Sequence, residues 1–380
     1  MNKWTIKLRN PFQHISVYAY FISVLIMSEI DNTLTTAFFY LAALLCVFAV
    51  LHLHGMLDNR THIIMIASLI CGISNIFIIG NLNFIRLFVL LLSIYVAKLF
   101  VSDCIMSRTY LRIYFIYALF VLFMIITRGL GHPIFTYVSN NYASVYLLCP
   151  LMIYYIKGER EGDNIKLFPA VLFWITCALT TSRMGLLAAS FMLGCLILYR
   201  ERKNKGKYGL LMIILVIILF AIPLGLYLLP SIISKYADLY IIDRFLNMGL
   251  TSSARTRMWT EYLALLKNIK YLLFGAPTDQ VYWAARFYEG NLHNSYLIVH
   301  SYLGMVGFIG LVVFIGRSLF HSIKNKNWVF FIMLITFCVR SYSDHVFGCN
   351  RISPFIFFLI FFTFIPNDRA LPGMIDTSKS

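Results

Sequence analysis

Long apolar runs recur along the whole chain, and no other feature limits its possible folds so strongly. A helix needs about 20 mostly apolar residues to cross a bilayer. About twelve such runs can be read, roughly at 15–30, 35–53, 63–80, 84–101, 110–127, 142–156, 167–181, 184–199, 208–229, 294–316, 327–343 and 352–366. Composition agrees: of 380 residues, 60% are hydrophobic and only 13% charged, with a mean hydropathy of +0.78. Soluble domains run nearer to about 45–50% apolar and about 25% charged. Disorder requires low hydrophobicity, and a disulfide-stapled secreted module requires dense cysteine in a short chain, so both are excluded. The expected fold is an all-α polytopic membrane protein. Nine spanning helices would occupy 1–229, a long connection 230–293, three more helices 294–366, and a tail 367–380.

Charge orients this arrangement. The net charge is +16. With the N-terminus inside and strict alternation, roughly 20 of the 32 Lys and Arg fall on inner segments, against about 4 on the short outer loops. The reversed orientation inverts the ratio, so N-in and C-in is expected. Because the charge is interleaved with lipid-length apolar runs, it reads as cytoplasmic-face charge and not as a nucleic-acid footprint. The first run has no small-residue cleavage site, and Lys3, Lys7 and Arg9 precede it, so it reads as a retained span and not a cleaved signal. The 230–293 connection lies on the outer side. It exceeds ordinary loop lengths, and its aromatic-rich, mixed-charge composition argues for order.

Several chemistries lack a basis in the residues. The eight cysteines are scattered singly, with no Cys/His spacing suited to zinc. There is no Walker, HExxH or GxSxG motif. Nearly every Asp and Glu falls in a loop, which disfavours an ion-coupled transporter with relay carboxylates at membrane depth. No metal and no cofactor is expected.

The outer face, by contrast, is rich in arginine: Arg128, Arg183, Arg255, Arg257, Arg286, Arg340 and Arg351. Arginine placed against the positive-inside rule calls for a reason. Guanidinium is permanently charged and forks onto phosphate oxygens, so the set points to an anionic substrate such as a lipid pyrophosphate. Snorkelling to lipid headgroups is the alternative.

Three outer segments then form an ordered set: Ser139-Asn140-Asn141-Tyr142-Ala143, Thr180-Thr181-Ser182-Arg183-Met184-Gly185, and a long loop that begins near Ser252-Ser253-Ala254-Arg255-Thr256-Arg257-Met258-Trp259. That loop closes with Leu292-His293-Asn294-Ser295-Tyr296-Leu297 and a Gly-rich span. The set resembles the O-antigen polymerase and ligase superfamily of the bacterial cell envelope. The likeness covers the whole topology and is residue-specific from about 139 to 310. It implies a C-type, membrane-embedded, metal-independent glycosyltransferase in the bacterial inner membrane, with its active site facing the periplasm. The implied substrate is an undecaprenyl-diphosphate-linked oligosaccharide.

The resemblance implies catalytic roles for Arg183, Arg255 and His293, with Arg257 a close competitor of Arg255. Arg255 fits because Trp259 follows four residues later. The family usually carries Asn-Pro-Asn where this chain has Asn140-Asn141. Arg128, Arg257, Arg286, Arg340, Arg351, Asn141, Asn294 and Trp259 are the further candidates for substrate binding. The leading expectation is a polymerase that transfers a growing glycan onto the next lipid-linked repeat unit, with a chain-length regulator as protein partner and lipids as surroundings. The alternative is the ligase that moves the finished chain to lipid A–core. A third is a non-enzymatic flippase, whose arginines would line a cavity through the membrane depth.

Overall fold

A computed structural model of the chain describes residues 11–52, 58–129, 132–180, 182–203 and 253–363. Among these residues the regular structure is entirely helical. We number the helices α1 (Pro11–Glu29), α2 (Thr33–His52), α3 (Asn59–Ile78), α4 (Phe84–Val101), α5 (Ser107–Arg128), α6 (Asn141–Glu161), α7 (Phe168–Leu179) and α8 (Arg183–Lys203). After the undescribed stretch come α9 (Ser253–Leu265), α10 (Ile269–Phe274), α11 (Tyr282–Tyr288), α12 (Ser295–Lys324), α13 (Trp328–Tyr342) and α14 (Pro354–Thr363). Seven of these, α1–α5, α8 and α12, are long and apolar enough to cross a membrane. The apolar helices α7, α13 and α14 are shorter. The expected span at 208–229, the basic leader and the 367–380 tail lie outside the described residues.

Around a large apolar core, several helices bury polar side chains and turn an apolar face outward. On α3, Ile63, Ile66, Ile70 and Phe77 are exposed, while Thr61, Ser68 and Asn75 are buried. On α5, Leu119, Phe123 and Ile126 face outward at helical spacing. A soluble bundle would do the reverse. In a bilayer, apolar faces meet lipid, and small or hydroxyl-bearing side chains mediate close helix packing.

Helix starts are fixed by short polar caps. Asp58, Asn83, Asn294 and Asn327 each accept a backbone N–H from the first turn of the helix that follows, which satisfies donors that have no intrahelical partner. The long helix α12 turns at Gly304 (φ 64°). A Cβ there would stand 2.2 Å from the carbonyl oxygen of Leu273. Only glycine permits both this backbone conformation and the close approach of α10.

One end of the bundle gathers the C-terminal ends of α1, α5 and α13 with the N-terminal ends of α4, α6, α8 and α12. We call it the site end. The described part of the long connection, 253–293, is ordered as α9–α11 and packs there: Trp259 Nε1 donates to the carbonyl of Leu292 at 2.8 Å, and α10 packs on α12.

Candidate functional site

Arg340 sits in the last turn of α13, and Asp344 in the loop after it. Their four-residue spacing brings the side chains together, and Arg340 Nη1 donates to Asp344 Oδ2 at 2.8 Å. Side-chain exposure is 0% for Arg340 and 2% for Asp344. Buried charges persist only when paired and hydrogen-bonded, and this one is. Arg340 Nε donates to Ser144 Oγ at 2.8 Å, Nη2 to the main-chain carbonyl of Asn141 at 2.6 Å, and Nη1 also to Ser343 Oγ at 3.3 Å.

The other carboxylate oxygen faces the long connection. Asp344 Oδ1 lies 3.2 Å from His293 Nδ1 and 3.8 Å from Arg255 Nη2. Burial on its own pushes a carboxyl group up. Here Arg340, the hydrogen bond from His293 and the charge of Arg255 outweigh burial and hold Asp344 down, at about 2. The carboxylate is therefore ionised at neutral pH and can only accept. His293 Nδ1–H then donates to it, which leaves Nε2 as the ring nitrogen turned away from the carboxylate, the orientation a general base requires.

Local backbone holds the imidazole in place. His293 occupies the left-handed region, φ 47°, uncommon for a residue with a Cβ. Asn291 Oδ1 accepts the His293 backbone N–H at 2.8 Å. The ring of Tyr288 packs edge-to-face on the imidazole, with centroids 4.9 Å apart. The next residue, Asn294, caps α12 by accepting from the backbone N–H groups of Tyr296 and Leu297. In this conformation its side-chain oxygen serves the helix start.

Arg183 is the first residue of α8. It follows Ser182, whose hydroxyl is 3.2 Å from that of Ser144, the acceptor of Arg340 Nε. The approach depends on Gly185: a Cβ there would meet Ser144 Cβ and Ser182 Oγ, each at 2.5 Å. The three sequence segments are thus connected through hydrogen bonds. Asn141 and Ser144 on α6, and His293 and Arg255 from the long connection, meet the Arg340–Asp344 pair directly, and Ser182 ahead of α8 reaches it through Ser144.

The remaining candidates are placed as follows. Arg257 is exposed and lies over the Trp283 ring, 5.2 Å from its centroid. Arg286, also exposed, donates to the Tyr282 hydroxyl and lies over the Phe287 ring. Trp259 braces α9 against Leu292, with its ring edge-on to Tyr342. Asn141 contributes its main-chain carbonyl to Arg340. Arg128 is engaged elsewhere, with Glu29 at 2.8 Å and the carbonyl of Ile134 at 2.8 Å. Arg351 reaches Asp31 at 3.6 Å and the carbonyl of Met27 at 3.4 Å. These two tie the loops at the site end to α1 and make no contact with Asp344. Arg340, fully buried among protein partners, has the geometry of a positioning residue.

Two site residues escape the sequence reading. Asp344 reads there as one loop carboxylate among several, although its i,i+4 relation to an arginine inside an apolar run is a usable signal. Arg86 is not among the arginines that the sequence singles out. The Asn83 cap places it in the first turn of α4, where its Nη1 donates to the Tyr302 hydroxyl at 2.7 Å. Among the described residues, no group of His, Cys, Asp and Glu has the arrangement to hold a metal ion.

No family model, curated protein or solved structure matches this chain.

Proposed function

We propose that the chain is a surface-polysaccharide polymerase. On this reading it transfers a glycan from one undecaprenyl diphosphate to the next lipid-linked repeat unit, on the outer face of the bacterial inner membrane. One observation carries the proposal: His293 and Arg255, singled out by motif from opposite ends of a long connection, converge on one buried carboxylate, Asp344.

The chemistry is consistent with that grouping. The acceptor hydroxyl oxygen attacks the anomeric carbon and the carbon–oxygen bond to the diphosphate breaks. The lipid diphosphate leaves with the electron pair. His293 Nε2 takes the hydroxyl proton, with Asp344 holding the imidazolium that forms. Arg255 and Arg183 offset the negative charge that grows on the leaving diphosphate. The seven arginines that run against the positive-inside pattern, from Arg128 to Arg351, lie at the site end and not along the depth of the bundle, which favours transfer chemistry over flipping.

Deleting the gene and resolving the host's lipopolysaccharide on a gel tests the proposal. A single repeat unit left on the core, with the ladder gone, is the expected outcome. Loss of all O-chain with lipid-linked polymer accumulating indicates the ligase, and an unchanged ladder rejects both.

A further inference from the structure

Three cavities differ in their linings. One of about 250 Å³ is walled by apolar side chains such as Ile64, Leu90, Val306, Phe314 and Ile360. The other two open at the site end and carry more polar groups. The larger, about 450 Å³, presents Tyr142, Tyr146, Tyr288 and Tyr302 with the amides of Asn291 and Asn350. The smaller, about 330 Å³, presents Asn81, Thr278 and Asp279. Arg86, Glu289 and Gly290 line both. The two are therefore adjoining compartments of one cleft, with Arg86 and Glu289 at its waist.

One wall of the cleft adjoins His293 without including it. Tyr288 and Asn291, which hold that residue from the ring and the backbone, are also cavity walls. His345 lines the same wall one residue after Asp344. Its Nε2–H donates to the carbonyl of Gly348 at 2.7 Å.

We propose that this cleft binds an extended saccharide running from His293 past Arg86 towards Asn81 and Thr278. Tyrosine rings offer flat apolar faces to the C–H faces of sugars, while their hydroxyls, the amides and the carboxylates match sugar hydroxyls on both donor and acceptor sides. A lipid chain is better matched by the apolar cavity. A bare phosphate fills neither this volume nor this mixture of aromatic and amide groups. Arg86 is the specificity element, fixed by the Asn83 cap through its backbone and by Tyr302 through its guanidinium. The inference rests on the proposed polymerase reading, which requires a place for the sugars on either side of the bond being made.

The test uses the full chain in detergent and two probes: oligosaccharides released by mild acid from the host's own surface polysaccharide, and inorganic pyrophosphate. Wild type should bind the oligosaccharides. Arg86→Ala should weaken binding about tenfold or more, and so should Thr36→Trp, which fills the larger compartment from α2. Thermal transitions near that of wild type confirm folded variants. Arg160→Gln, at the opposite end of the bundle, should retain binding. No oligosaccharide binding by wild type, unchanged binding in both cleft variants, or complete displacement by pyrophosphate overturns the proposal. Loss of sugar binding in the cleft variants together with a full ladder in His293→Ala rejects the reaction and leaves the cleft standing. Normal binding in the cleft variants with no ladder in His293→Ala does the opposite.

Discussion

The two ends of the bundle both hold charge, and they satisfy it differently. At the end opposite the site, Lys157, Lys98 and Arg160 each have their own partner. Lys157 Nζ donates to the main-chain carbonyls of Phe100 and Ser102, at 3.3 and 2.6 Å. Lys98 meets Asp58 at 3.3 Å, and Arg160 meets Asp103 at 3.8 Å. At the site end, one buried carboxylate gathers two guanidiniums and an imidazole. Distributed pairs anchor helix ends. A shared carboxylate instead positions basic groups from three parts of the chain around one point, the arrangement the proposed transfer would use.

Breaking the site end should have the largest effects. We predict that His293→Ala, Arg255→Ala and Arg183→Ala each abolish the lipopolysaccharide ladder at unchanged protein level, scored by gel and immunoblot. Asp344→Ala leaves Arg340 buried without its carboxylate. Removing one partner of a buried pair costs about 3–5 kcal/mol, so a large fall in thermal midpoint and in membrane yield should accompany loss of activity. Gly185→Ala forces a Cβ into the Ser144–Ser182 contact. It should cost about 1–3 kcal/mol through overpacking, read as a lower midpoint with partial activity. At the opposite end, Arg160→Gln removes a long pair whose aspartate is mostly exposed. It should shift stability by about 1 kcal/mol or less and leave the ladder intact.

Acidity separates the groups at the site end. Burial, with Arg86 adding to it, pushes His345 down to about 4 from the ordinary 6.5. The unfolded chain binds that proton first, so stability should fall as pH drops from about 6.5 towards about 4. Asp344 is also depressed, to about 2. Its contribution is present in full above the unfolded carboxylate value and is lost as pH falls from about 4 through about 2. The midpoint should be flat with respect to these groups above about pH 6.5 and decline in two stages below it. A decline beginning only below about pH 4 would remove His345 from the account.

Much of this architecture is legible in the sequence. The apolar runs locate α1–α8 and α12–α14 within about five residues, apart from the end of α12, which continues to Lys324 past the expected 316, because lipid-length hydrophobicity leaves few alternatives. Even the polar first run forms α1. The order of the described part of the connection, 253–293, is also legible from its aromatics, but its division into α9, α10 and α11 is not. Those short helices depend on tertiary contacts such as Trp259 with Leu292 and α10 against Gly304. The motifs pointed to Arg255 and His293 as residues without indicating what joins them. Asp344 went unread because a carboxylate between two spans resembles any other loop carboxylate until the fold brings residue 293 to it. Two arginines in one turn were equivalent in sequence. In the structure Arg255 reaches Asp344, while Arg257 lies over Trp283.

The most direct test is complementation of a gene-deletion strain with His293→Ala, expressed at the wild-type level, with the surface polysaccharide resolved on a gel. The account predicts a single repeat unit on the core and no ladder. A full-length ladder from that variant would contradict it.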